Sequence, residues 1–165
     1  MENSLNILHY CIYLVDCKLH FLSNKINPLL HLYKLPFFKR RFKKLGVENP
    51  IEAYNDVFAD KYYGFNIMTS GGIIMAVIAI FFVSLYSILR NELYNDYILS
   101  INHYIFFSLI SSLICYLLVF KKDKYLIYFE KYETWTRAEK RKYVLLSFGV
   151  IMGVIIFFFV SLFAT

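Results

Sequence analysis

The side chains of this chain most able to do chemistry are few and dispersed. Glu52, Asp56 and Asp60 recur every four residues, a spacing that puts three carboxylates on one face of a helix. Basic residues from Lys39 to Lys44 stand close by in sequence, so the stripe reads as a solvated negative face and not as a cation site. Cys11, Cys17 and Cys115 have no C-x-x-C spacing and no histidine in ligand register, which argues against a disulfide framework or a zinc site. His103 follows Asn102 near the end of an apolar stretch and reads as an interfacial histidine. No H-E-x-x-H, G-x-S-x-G or glycine-rich phosphate loop occurs. The expectation is no catalytic residue, no cofactor and no bound metal.

The strongest local chemistry lies between Lys34 and Lys44. Lys34, Phe37, Phe38, Lys39, Arg40, Arg41, Phe42, Lys43 and Lys44 interleave cations with aromatic rings. That mixture suits an anionic membrane surface, where rings enter the acyl boundary and each cation gains from the surface potential. An acidic protein or a nucleic acid could use the same chemistry. In a chain already held at a membrane, contact with anionic headgroups needs no added assumption, and no nucleic acid is expected.

Two further patterns concern docking. Leu5, Leu8, Ile12, Val15, Leu19, Leu22, Ile26 and Leu29 recur at alternating steps of three and four, one stripe of a helix. The stripe is a heptad-like seam that can lie on the membrane, pack on the protein's own helices or dock another subunit. Small residues also cluster at helical spacing: Gly72 with Ala76, Ser108 with Ser111, Ser112 and Cys115, and Gly149 with Gly153 in a G-x-x-x-G. Such residues let helix backbones approach closely in lipid, within this chain or against a homo-oligomeric copy or another membrane subunit.

These residues need elements to position them, and the elements are long apolar helices. The chain has 165 residues, of which 59% are hydrophobic and 20% aromatic, beyond what a soluble core of this size can hide. Phe65–Leu89, Ile98–Phe120 and Tyr143–Ala164 contain no Lys, Arg, Asp or Glu, and each is long enough to cross about 30 Å of hydrocarbon. Coupled transport and proton relays need ionisable groups in mid-span, so a transporter is a poor reading. The predicted organisation is a helical region 1–64, spans over 65–89, 98–120 and 143–165, an outer loop 90–97 and a basic loop 121–142. Nine basic residues precede the first span, eight lie in 121–142 and one, Arg90, lies in 90–97. Lys and Arg are retained on the cytoplasmic side, which places the N-terminus there and the C-terminus outside, in a plasma (bacterial inner) membrane. Tyr62, Tyr63, Tyr94, Tyr97, Trp135 and Tyr143 fall where an interfacial aromatic belt belongs.

Leu5–Val15 follows Glu2 and not a basic region, so it is not read as a cleaved signal. Asn27-Pro28 ends the first helix, Gly46 stops a basic one, and Asn49-Pro50-Ile51-Glu52 starts another. Thr136-Arg137-Ala138-Glu139 is a capping box leading into the third span. The fold class expected is an all-α integral membrane protein, three transmembrane helices preceded by cytoplasmic amphipathic helices. The function class that suits it first is a non-catalytic accessory or scaffold subunit of a larger membrane assembly, such as a bacterial secretion or conjugation machine. A membrane immunity protein neutralising a toxin fits the same features, and a lipid-modifying enzyme with dispersed residues is a third class.

Overall fold

The computed structural model describes residues 1–94 and 100–163, and every regular element among them is helical. Asp96, Tyr97, the start of the predicted second span at 98–99, Ala164 and the side chains of Leu29 and Tyr94 lie outside the described residues. The elements are α1 (Glu2–Ile26), α2 (Pro28–Leu32), α3 (Pro36–Lys44), α4 (Pro50–Ala59), α5 (Phe65–Tyr94), α6 (Ile101–Cys115), α7 (Lys124–Glu133) and α8 (Arg137–Phe163). Between α6 and α7 run a π-helical turn, Tyr116–Phe120, and a 3-10 turn, Lys121–Asp123. Three helical stretches are long and apolar enough to cross a membrane: Phe65–Glu92, Ile101–Glu133 and Arg137–Phe163.

Local chemistry sets the boundaries. Asn49 Oδ1 accepts from the backbone N–H groups of Ile51 and Glu52 at 3.3 and 3.4 Å, and Pro50 follows as the first helical residue. Thr136 and Glu139 close a reciprocal capping box: the Thr136 backbone N–H donates to Glu139 Oε2 at 2.8 Å and the Glu139 N–H to Thr136 Oγ1 at 3.3 Å. α3 ends at Gly46, φ 79°. There the Val47 N–H reaches Phe42 O at 3.0 Å and the Gly46 N–H reaches Lys43 O at 3.1 Å, the paired bonds of a Schellman cap.

The chain forms two compact units, Met1–Ile12 with Gly71–Thr165, and Tyr13–Ser70. In the first, Leu8, Ile12, Ile74 and Cys115 make the buried centre, and Leu5, Ile73, Met75, Ile78, Phe120 and Ile151 pack round it. The first turns of α1 are thus enclosed by residues of α5, α6, the π turn and α8. Gly71 permits this closeness: a Cβ there would lie 2.6 Å from Phe120 Cζ.

In the second unit the later part of α1 packs on α4. Tyr13 Oη donates to Ala59 O at 2.8 Å, Asn24 Nδ2 donates to Asn55 Oδ1 at 2.7 Å, and His20 stacks on Phe58 at 4.4 Å. Asn66 Nδ2 reaches Cys17 Sγ at 3.3 Å. Glu52, Asp56 and Asp60 are all exposed; Asp60 Oδ1 is taken up by the N–H groups of Tyr62 and Tyr63 at 2.6 and 2.8 Å.

Candidate functional site

The densest polar and aromatic cluster lies where the start of α1 meets α7. The last carbonyls of a helix have no partner within it. In the turn after α6 a carbonyl, that of Leu118, is used by Asn6, whose Nδ2 donates to it at 3.1 Å and to Glu2 O at 2.9 Å. Asn6 is fully buried. One turn along α1, His9 is also fully buried, with its ring 5.4 Å from Phe120, 5.7 Å from Tyr125 and 5.1 Å from Phe129. Tyr10 meets Phe129, Tyr132 and Trp135 at 5.1, 5.5 and 6.0 Å. Trp135 in turn stacks on Tyr143 of α8 at 4.3 Å.

α7 grips the N-terminal turn of α1 with a second row. Lys124, Tyr128 and Tyr132 recur every four residues on one stripe. Lys124 Nζ pairs with Glu2 Oε2 at 2.8 Å, Tyr128 Oη donates to Glu2 Oε1 at 3.2 Å, and Tyr132 Oη donates to Asn3 Oδ1 at 2.7 Å. The hydrogen bond from Lys124 lowers the Glu2 carboxyl below the usual glutamate value, so Glu2 is ionised at neutral pH. Burial acts the other way on its neighbours. It pushes the Tyr10 hydroxyl up to about 12, and it raises the Cys11 thiol although a hydrogen bond with Ser147 pulls it down. Both stay protonated near pH 7, the opposite of the lowered pKa that activates a nucleophile. The chemistry this arrangement can do is to fix one helix against another.

The residues singled out from the sequence separate into used and unused sets. Leu8 and Ile12 of the seam are buried and Leu5 packs against them, whereas Val15, Leu19 and Leu22 are exposed. Lys34, Phe37, Lys39, Arg40, Arg41, Lys43 and Lys44 are exposed, while Phe38 and Phe42 are half-buried. Gly72, Ala76, Ser108, Ser112, Gly149 and Gly153 are all exposed, and a Cβ at Gly72, Gly149 or Gly153 would meet nothing within 4 Å. Ser108 O accepts from the hydroxyl of Ser112 at 2.8 Å, within one helix. Ser111 and Cys115 of the second span's cluster are buried, as are Ser70, Ser84, Ser147 and Ser161 outside the clusters. His103 stacks on Tyr86 at 5.1 Å. Among the described residues no group of three or more His, Cys, Asp or Glu side chains is placed to hold a metal ion.

The basic loop expected over 121–142 contains α7, Lys124–Glu133, and the cluster of Asn6, His9 and Tyr10 against it is not among the residues the sequence singles out. The signal was present: Tyr125, Phe129 and Tyr132 are spaced by four and three, as on a helix face, and all three are buried. Comparison with known proteins finds no family model, no curated protein and no solved structure that matches this chain.

Proposed function

We propose that the protein is a non-catalytic scaffold or accessory subunit of a larger membrane assembly, of the kind found in bacterial secretion or conjugation machinery. It is held in the plasma (bacterial inner) membrane by three spans, with its N-terminus cytoplasmic and its C-terminus outside. Insertion is supported by the outer surfaces of the long helices. The most apolar windows of the three stretches are only 22, 17 and 11% buried within the protein, and apolar surface on that scale needs lipid or a partner to cover it. The orientation rests on the basic residues before α5 and between residues 121 and 142.

One observation carries the scaffold reading. The seam of α1 keeps its spacing along the helix but changes its surroundings. Leu8 and Ile12 are buried, whereas Leu19, Leu22 and Ile26 are 57, 55 and 79% exposed. A seam that is buried at one end of the helix and exposed at the other offers a partner helix a row of anchors at steps of three and four.

The test is native purification of the whole chain from several mild detergents. A stoichiometric partner or a defined homo-oligomer is expected, and Leu19→Glu with Leu22→Glu should release it while the spans stay inserted. A dispersed monomer in every detergent would contradict the proposal.

A further inference from the structure

α3 carries five basic residues, no acid and no buried residue. Part of that charge serves the helix itself, since Arg41, Lys43 and Lys44 lie in the last turn, where cations complement the backbone dipole. The helix dipole does not account for Phe37, which is 68% exposed. The three phenylalanines of α3 divide between two faces. Phe38 and Phe42, one turn apart, turn toward Tyr33 at 6.5 and 5.3 Å. Phe37, Arg40, Arg41 and Lys44, at steps of three, one and three, share a different face and line an open cleft of about 390 Å³. One ring with three cations around it is poorly suited to water and well suited to a bilayer interface, where an apolar body and charged tips find separate solvents.

We infer that this face of α3 docks on an anionic phospholipid surface, with Arg40, Arg41 and Lys44 binding headgroup phosphates and Phe37 entering the acyl boundary. The inference rests on the membrane reading above, because α5 tethers the segment to the bilayer. It assigns Phe38 and Phe42 to holding α3 on Tyr33, not to lipid. Guanidinium pairs match phosphate oxygens in a planar fork, and every phospholipid headgroup supplies a phosphate, so the shared ligand chemistry is the phosphodiester. The net negative charge of an anionic leaflet supplies the attraction.

The experiment uses the full chain in nanodiscs, comparing zwitterionic phosphatidylcholine with the same lipid containing anionic phosphatidylglycerol. Hydrogen exchange of residues 36–44 and the depth of a spin label carried by an unnatural amino acid at position 37 are read together. Slow exchange and a label at the headgroup boundary are expected only in the anionic discs. Arg40→Gln, Arg41→Gln and Lys44→Gln together should lower the docked-to-undocked ratio roughly a hundredfold, at about fivefold per charge. Inorganic phosphate at matched ionic strength should leave α3 docked; displacement by it would overturn the inference in favour of a free-phosphate site. Equal protection in both lipids would overturn it in favour of a protein-held helix. Resistance of the chain to alkaline extraction reports insertion separately, so retained insertion without lipid-dependent protection contradicts this inference alone, and lost insertion contradicts the membrane reading beneath it.

Discussion

At the scale of single residues, the junction of α1 and α7 contains two kinds of buried polar atom with opposite expected consequences. Asn6 Nδ2 satisfies Leu118 O in a part-buried bond, so Asn6→Ala leaves that carbonyl without its donor and should cost about 1–3 kcal/mol of stability. The Tyr10 hydroxyl is buried with no hydrogen-bond partner among the described residues. Tyr10→Phe keeps the ring contacts with Phe129, Tyr132 and Trp135 and removes only that oxygen, so it should be neutral or stabilising by up to about 1 kcal/mol. Denaturation of both variants in one detergent checks the pair, and equal losses would contradict the assignment. Asn6 and His9 were legible as polar interruptions of an apolar run. What they touch was not, because Leu118 and the rings around His9 lie more than a hundred residues away, and Leu118 offers a backbone carbonyl that no residue pattern marks.

At the scale of elements, the sequence separates apolar helices from basic ones well and orients apolar helices badly. The start of α8 is marked by chemistry, the capping box of Thr136 and Glu139. Its faces are not marked, since nearly every position past Tyr143 is apolar and periodicity carries no direction when all sides are alike. That is why Gly149 and Gly153 point to open space while Ser147 and Ser161 are buried. The glycines then split by substitution. Gly149→Ala and Gly153→Ala meet nothing and remove helix-weakening glycines, so each should stabilise the isolated chain by up to about 1 kcal/mol. Gly71→Ala drives a methyl group into the Phe120 ring, which His9 and Tyr125 hold in place, and should cost about 1–3 kcal/mol. Thermal melts in detergent distinguish these signs. If the α8 variants also lower the order of the native assembly, their open face is where a second helix sits.

At the scale of the whole molecule, the proposed membrane setting changes which forces matter. In that setting hydrophobic transfer would contribute little between helices whose alternative surroundings are acyl chains, leaving packing and polar contacts to secure the start of α1. The Asn6 bonds to the backbone, the ion pair of Glu2 with Lys124 and the aromatic box around His9 supply them. The seam itself could be read from Leu5 onward, but not the point where it stops being core, because its spacing is the same on either side of that point. The central claim is that the seam of α1 is core at its start and surface further along, and the helix's cysteines report on the two parts. Cys11 is buried and Cys17 is partly exposed. The direct measurement is labelling of single-cysteine variants by a membrane-permeant maleimide in native membranes, normalised to the denatured chain. Cys17 should react readily while Cys11 stays protected until denaturant is added, and labelling of Cys11 at the rate of Cys17 would show that α1 is not docked among the spans.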